Sequence, residues 1–163
     1  MIEVHHNLFV GSEADEALVR GQSGWFVVHA CKEPYHRQAL GYQGRAAAKD
    51  HPEYLIARRP GRLILNLIDA NDVNFIPAEI IDTALSEIHQ NIASTKILVH
   101  CNQGLSRSPT IAFLYMLRFS DVFRRESLSQ DLQDFHKSYP AYAPAQGMAD
   151  YVALNWPRYS SRT

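Results

Sequence analysis

The stretch that most constrains the fold is residues 96–110, which read KILVHCNQGLSRSPT. A β-branched apolar run ends in His100 and Cys101, a short polar loop with one glycine follows, and beyond Arg107 the chain becomes largely apolar again. This order predicts a strand, a tight loop and a helix. A loop that opens a helix presents unpaired backbone N–H groups and the positive end of the helix dipole, so it favours an anion as ligand.

Cys101 and Arg107 bracket the loop, and both side chains suit a phosphate ester. A cysteine thiolate is a strong nucleophile that can attack phosphorus, and a guanidinium can hold two non-bridging oxygens at once. The helix N-terminus, the loop N–H groups and Arg107 all favour the negative thiolate. The pattern therefore predicts a phosphate site with its own nucleophile, in preference to a buried structural cysteine followed by a chance arginine.

The pattern His-Cys-x-x-Gly-x-Ser-Arg-Ser at 100–108 resembles the signature loop of the cysteine-dependent protein tyrosine phosphatases, in particular their dual-specificity branch. The resemblance begins with Leu-Phe-Val-Gly-Ser at 8–12 and ends with a helix, a Pro-x-x-x-Pro turn at 140–144 and a last helix. It implies one α/β catalytic domain over 1–163. We expect a central, mostly parallel sheet of about four to five strands, flanked by helices.

The same resemblance implies hydrolysis in two steps through a phosphocysteine on Cys101. Arg107 is expected to hold the phosphate, and His100 to order the loop through hydrogen bonds without touching the substrate. We expect the Ser106 hydroxyl to donate to the thiolate and to ease its departure in the second step. Gly104 leaves room for the backbone to approach the phosphate. The residues expected to bind the substrate are Asn102, Gln103, Gly104, Leu105, Ser106 and Arg107.

A carboxylic acid on a nearby loop must protonate the leaving oxygen and later accept a proton from water. Asp69 and Asp72 are the candidates, since they stand 32 and 29 residues before Cys101. Spacing alone does not choose between them. Asp72 is favoured because Ile68 stands four residues before it, as in the family's Ile-x-x-x-Asp pattern, and because the helix-starting Pro77 follows five residues later. Asp69 is the alternative general acid, or it holds the loop by hydrogen bonds.

The remaining elements are predicted from apolar runs and helical periodicity. Strands are expected at 7–12, 25–30 and 62–68. Helices are expected at 13–20, 77–92, 108–119, 127–139 and 146–155. The stretch 35–60 is interpreted as a solvated, family-variable insertion with short helical parts near 37–40 and 45–49. The alternative is that it caps the pocket and that its cations attract acidic or multiply phosphorylated ligands.

Cys31 follows the strand predicted at 25–30, and the ends of neighbouring parallel strands are where sites assemble. We therefore expect Cys31 near Cys101. By resemblance to phosphatases with a cysteine at a similar strand end, it is a candidate partner for a reversible disulfide that protects the nucleophile from over-oxidation. The alternative is a small, buried apolar residue without a redox role.

Composition excludes several classes of function. The formal net charge is −1 and like charges do not form long blocks, which argues against a nucleic-acid partner. No signal peptide and no apolar run of about 20 residues is visible, so we expect no membrane contact.

The chain has only two cysteines, far apart in the sequence, and this is not the pattern of a secreted protein held together by disulfides. We therefore expect a reducing, cytoplasmic location. The histidines show no paired metal-ligand spacing, so neither a metal nor a cofactor is implied. The oligomeric state is left open.

Three functions compete at this stage. The first is a phosphatase of phosphotyrosine, with phosphoserine and phosphothreonine, in a phosphorylated protein or peptide. The second is a phosphatase of nucleotide, RNA 5′-end or inositol phosphates. The absence of Lys or Arg at 102, 103 and 105 weakens an inositol lipid headgroup as the substrate. The third is a catalytically silent module that binds phosphoproteins. A binder has no use for a nucleophile, so the sequence favours an enzyme.

Overall fold

The computed structural model describes residues 1–162. A six-stranded sheet forms the centre of the fold. The strands run in the order β1-β2-β6-β3-β5-β4, and the four inner strands are parallel to one another. The edge strands β1 and β4 pair antiparallel with β2 and β5. The strands are β1 (Ile2–His5), β2 (Leu8–Gly11), β3 (Trp25–His29), β4 (Ile56–Arg59), β5 (Arg62–Leu65) and β6 (Lys96–His100).

Within residues 1–162, six α-helices flank the sheet, and the five helices predicted outside the stretch 35–60 are confirmed. They are α1 (Glu13–Val19), α2 (Arg37–Leu40), α3 (Ala78–Asn91), α4 (Arg107–Phe119), α5 (Leu128–Ser138) and α6 (Gln146–Ser160). Ser12 caps α1 in a capping box with Asp15. The last helix continues beyond the predicted end at 155, through Pro157. It does so because Tyr159 is buried and its hydroxyl donates to Asp82 of α3 at 2.6 Å.

The two faces of the sheet have different surroundings. Alternate residues of the strands, such as Val28 and Val99, point into the large core formed with α3, α4, α5 and α6. α4 lies at the centre of this core, since every residue from Ser108 to Leu117 is buried. On the opposite face, Val27 and Leu98 pack against Val19 of α1. An all-round buried helix is what the apolar run after the phosphate loop predicts, and it fixes the helix N-terminus in place.

The α/β fold class is confirmed, but the sheet has six strands where about four to five were expected. The two edge strands were not predicted, because each has only four residues and mixes polar with apolar side chains. β4 lies inside the stretch interpreted as an insertion, so this stretch contributes an edge of the sheet. Within it, the helix at 37–40 is confirmed, whereas 45–49 contains no helix.

Three of the cations in the stretch 35–60 are engaged in ion pairs. These pairs are Arg37 with Glu33, Arg58 with Glu87 and Arg59 with Glu53. Their charge is thereby largely compensated, which weakens the hypothesis that this stretch attracts acidic ligands. Among residues 1–162, no helix is both long enough and apolar enough to cross a membrane.

Candidate active site

The predicted phosphate loop, residues 101–106, connects the end of β6 to the start of α4. The N–H of Cys101 donates to the carbonyl of Gly11, at the end of the neighbouring strand β2, at 3.3 Å. Cys101 is 2% exposed. The sulfur therefore lies at the carboxyl edge of the parallel strands and just before the N-terminus of α4. The helix dipole favours a negative charge at this place.

Ser108 is the hydroxyl that contacts the sulfur of Cys101, the predicted nucleophile. Its Oγ lies 3.2 Å from Cys101 Sγ and 3.2 Å from the carbonyl oxygen of Gly11, to which it donates. The single hydroxyl proton can therefore turn from the carbonyl to the sulfur when the thiolate carries a full charge. Sequence reasoning missed this role, although the second serine of Ser-Arg-Ser was the signal that could have revealed it.

The prediction that Ser106 donates to the thiolate is wrong. Its hydroxyl donates to Oδ1 of Asp69 at 2.7 Å and accepts the N–H of Ala145 at 2.9 Å. The reason is the start of α4 at Arg107, which places Ser108 in the first turn beside the sulfur. Ser106 precedes the helix and turns towards the loop after β5. It joins this loop and the start of α6 to the phosphate loop.

Arg107 is oriented by two contacts at the base of the loop. Its Nη1 donates to the carbonyl of Leu67 at 3.1 Å, and its Nη2 donates to Oδ1 of Asn102 at 2.8 Å. Its Nε is buried and has no partner among the described residues. A buried donor without a partner is costly, so this N–H suits an anionic oxygen in the loop. The geometry suits the predicted role of Arg107 in holding a phosphate.

Asn102 and Gly104 hold the loop in shape. The amide of Asn102 donates to the Glu33 carbonyl at 2.9 Å and to Glu13 Oε2 at 3.2 Å, so this side chain joins three segments. Gly104 has a φ of 74°, a conformation that glycine adopts readily. A Cβ at this position would also meet the backbone of Gly11 at 3.0 Å. Gly104 is thus required by a close approach to β2, in addition to its predicted role towards the phosphate.

A cavity of about 270 Å³ opens at the loop. Cys101 and Asp69 line the cavity, and the exposed side chains of Gln103 and Leu105 form part of its wall. The full lining comprises Asp69, Cys101, Asn102, Gln103, Leu105, Ser106 and Arg107. Five of the six predicted substrate-binding residues therefore line it, and Gly104 does not. Among residues 1–162, no group of three or more His, Cys, Asp or Glu side chains could hold a metal ion.

The two candidate acids lie in different surroundings on the loop after β5. Asp69 is brought to the cavity and accepts the hydroxyl of Ser106. Asp72 is exposed and accepts the N–H of Asn74 at 2.9 Å, so it caps the short 3-10 turn Val73–Phe75. Asp72 is absent from the lining of the cavity among the described residues. Both carboxylates are thus engaged, Asp69 with the phosphate loop and Asp72 with its own turn.

His100 and Cys31 support the loop from the α1 face of the sheet. His100 Nδ1 lies 3.3 Å from the carbonyl oxygen of Cys101, a contact that suits its predicted ordering role. Cys31 is buried as a free thiol and packs in one apolar cluster with Cys101, Tyr35 and Ile64. Burial raises the pKa of the Cys31 thiol to about 12, so it is protonated at neutral pH. The structure therefore brings the two cysteines together, and their disulfide stays a prediction.

Comparisons with known proteins show which proteins the chain resembles. No protein-family model matches the chain. A Dictyostelium discoideum protein named a probable dual specificity protein phosphatase is 38% identical over 87 residues, which is 52% of this chain and 36% of that protein. The match thus spans about a third of the length of the relative.

Solved structures extend the similarity to nearly the whole chain. DUSP15 has a TM-score of 0.66 at 16% identity and covers 99% of this chain and 90% of its own. Human DUSP28 has a TM-score of 0.61 at 18% identity, with 98% and 91% covered. PTPMT1 in complex with PI(5)P has a TM-score of 0.61 at 14% identity, with 98% and 96% covered. The resemblance is therefore confirmed, and the chain has the fold of the cysteine-dependent phosphatases of the dual-specificity type.

Proposed function

We propose that this protein hydrolyses phosphomonoesters of phosphorylated proteins, both phosphotyrosine and phosphoserine or phosphothreonine. The observation that carries the proposal is the placement of Cys101 and Arg107. The nucleophile lies at the N-terminus of a buried helix, and the guanidinium beside it keeps an unpaired, buried N–H. Both cysteines are buried free thiols, and thiols stay reduced in a reducing compartment. We therefore propose the cytoplasm as the location.

The reaction runs in two steps that these residues can support. In the first, the Cys101 thiolate attacks phosphorus, the bond to the leaving oxygen breaks, and a carboxylic acid protonates that oxygen. In the second, the same carboxylate takes a proton from water, which attacks phosphorus and releases the thiolate with inorganic phosphate. The Ser108 hydroxyl, 3.2 Å from the sulfur, stabilises the departing thiolate. Arg107 and the loop N–H groups stabilise the charge on the phosphoryl oxygens.

For the general acid we propose Asp72, with Asp69 as the residue that anchors the loop after β5 to the phosphate loop through Ser106. The bond between Asp69 and Ser106 supports the anchoring role. The assignment requires that the exposed Asp72 carboxylate leave the N–H of Asn74 and that its loop bring it to the cavity, whose lining among the described residues includes Asp69 and not Asp72. Catalytic contacts are often incomplete before substrate binds.

Substitution of each acid tests this assignment. We expect Asp72→Asn to lower turnover of an alkyl phosphate by about 10²–10⁴-fold, the range of general-acid contributions. Asp69→Asn should cost less, because the amide can still accept the Ser106 hydroxyl. A large loss in Asp69→Asn with unchanged turnover in Asp72→Asn would reverse the two roles.

The cavity supports a protein substrate over a multiply phosphorylated small molecule. Arg107 is the cation in its lining as far as the chain is described, and Asp69 adds a negative charge. A ligand with several phosphates would need further cations there, whereas one phosphoester on a side chain needs only one clamp. The similarity to PTPMT1 in its complex with PI(5)P extends to the fold, and we keep inositol or nucleotide phosphates as the second candidate for a direct comparison of substrates.

The first experiment is hydrolysis of p-nitrophenyl phosphate by the wild type and by Cys101→Ser, in EDTA, with and without vanadate. We expect metal-independent turnover that vanadate inhibits and that the substitution abolishes. The matched control is Cys31→Ser, which removes the other thiol and should retain turnover under reducing conditions. If the folded, reduced wild type shows no turnover but binds phosphopeptides, the chain is a silent binding module and the proposal fails.

A further inference from the structure

A second buried histidine lies directly beside His100. β3 and β6 are parallel neighbours, and their register pairs His29 with His100 at the carboxyl ends of both strands. Both side chains are completely buried. Nδ1 of His29 is 2.6 Å from Nε2 of His100, and the two rings stand edge to face with centroids 4.8 Å apart. A short hydrogen bond therefore joins the two rings, and one of the two nitrogens carries its proton.

The surroundings determine which nitrogen carries that proton. A carbonyl oxygen can only accept, so the contact of His100 Nδ1 with the Cys101 carbonyl requires a proton on Nδ1. In the neutral ring Nε2 is then an acceptor, and His29 Nδ1 must donate to it. The remaining nitrogen of His29, Nε2, is an acceptor and lies 3.4 Å from Nη1 of Arg62, which can only donate. The three donors point in one direction, from Arg62 towards the nucleophile.

Burial of the pair favours two neutral rings. Burial lowers the pKa of His29 to about 2, with a further contribution from His100, and burial lowers the pKa of His100 to about 4. Neither ring bonds to a carboxylate within residues 1–162. Glu16 and Glu13 both act to raise the pKa of His100. Glu16 forms an ion pair with Arg20 and accepts the Tyr35 hydroxyl at 3.4 Å.

Aromatic packing keeps the pair in this orientation. The Tyr35 ring stacks on His29 with centroids 4.4 Å apart and stands edge-on to His100 at 4.9 Å. Neither imidazole can turn without disturbing this packing. The position of His100 thus depends on neighbours that lie outside the signature loop.

We propose that His29 is a positioning residue of the active site, which donates to His100 and thereby holds the His100 N–H on the carbonyl of Cys101. The proposal rests on the proposed function, since a loop held in this way is prepared to bind a phosphoryl group. The Cys101 carbonyl belongs to the peptide that also carries the N–H of Asn102. Without the N–H of His29, Nε2 of His100 is buried without a hydrogen-bond partner. If the proton of His100 then moved from Nδ1 to Nε2, the hydrogen bond to the Cys101 carbonyl would be lost.

Two substitutions of His29 separate this role from mere packing. His29→Asn places an amide N–H near the position of Nδ1, whereas His29→Gln places it near the position of Nε2, away from His100. We expect His29→Gln to weaken vanadate binding about tenfold, because the loss of one buried hydrogen bond costs a free energy of about that size. It should also raise the pH at which iodoacetate alkylates Cys101 at half its maximal rate, with a fall in kcat. His29→Asn should restore most of each quantity.

The matched control is His36→Leu, which removes another fully buried histidine whose partners are Tyr42 and the Glu53 carbonyl. It should lower the urea midpoint without moving vanadate binding or the alkylation profile. Equal vanadate affinity and equal alkylation profiles in His29→Gln, His29→Asn and the wild type would overturn the proposal. Because binding and alkylation need no turnover, they decide the role of His29 even if the wild type hydrolyses nothing. In that event the phosphatase function fails separately.

Discussion

Replacement of Gly147 by alanine should displace the loop that carries both candidate acids. Gly147 lies in the first turn of α6, is buried, and donates its N–H to the carbonyl of Ala70 at 3.1 Å. A Cβ at this position would stand 2.4 Å from the Ala70 oxygen and 3.2 Å from the backbone of Asp72. Ordinary contact begins at 3.4 Å, so the loop and the helix must move apart by about 1 Å. No side-chain rotation can relieve a clash with backbone.

The expected effect on catalysis follows from that displacement. A misplacement of about 1 Å at a reacting group can cost about 10²-fold in rate, whether Asp69 or Asp72 is the acid. Overpacking should cost about 1–3 kcal/mol of stability, of which the helix preference of alanine over glycine offsets about 1 kcal/mol. We therefore expect kcat on phenyl phosphate, whose leaving group needs a proton, to fall about a hundredfold. On p-nitrophenyl phosphate, whose leaving group needs the proton less, the loss should be smaller.

The assay compares kcat on both substrates with the urea midpoint of the same variant. Gly44→Ala is the matched control, because a Cβ at this position would meet no atom within 4 Å and it should change neither quantity. If Gly147→Ala kept full turnover of phenyl phosphate, the loop would not be held by α6 and the reasoning would be refuted. An equal loss on the two substrates would instead show that the clash disturbs the phosphate loop.

Three further predictions concern the loop and its support. Ser108→Ala should slow release of the Cys101 thiolate, so that a burst of p-nitrophenol precedes a slower steady state in stopped-flow records; a missing burst with normal turnover would remove this role. Peroxide should link Cys31 to Cys101, which peptide mass mapping detects, and Cys31→Ser should then lose activity irreversibly; recovery of this variant in dithiothreitol equal to that of the wild type would contradict the protective role. Since burial lowers the pKa of His29 to about 2 and of His100 to about 4, both take up protons on unfolding below about pH 6.5. Their stabilising contribution is therefore complete above that pH and declines as the pH falls. His29→Leu should reduce the slope of the unfolding free energy between pH 6 and 5 by about 1.2 kcal/mol per pH unit. Urea titrations at several pH values measure this slope, and an unchanged slope would mean that His29 is charged in the native protein.

The amino-acid sequence by itself determined the order of the main elements and the chemistry of the loop. A continuous apolar strand, a glycine-containing loop and an apolar helix follow one another within residues 96–119, and each is specified by local pattern. Cys101 and Arg107 belong to this one segment, so their proximity follows from short loop geometry. The fold class follows in turn, because strands that alternate with helices predict a parallel sheet. These inferences needed no knowledge of distant contacts.

Tertiary structure alone decided which hydroxyl reaches the sulfur, where the two acids lie and what supports His100. Ser106 and Ser108 are equivalent neighbours of Arg107 in the sequence, and only the start of α4 separates them. His29 stands 71 residues from His100 and meets it through strand register. Local pattern reports which face of an element is buried, but it does not report which residue of another element lies opposite. That depends on the pairing of strands and the packing of helices, in which contacts distant in the chain are formed together.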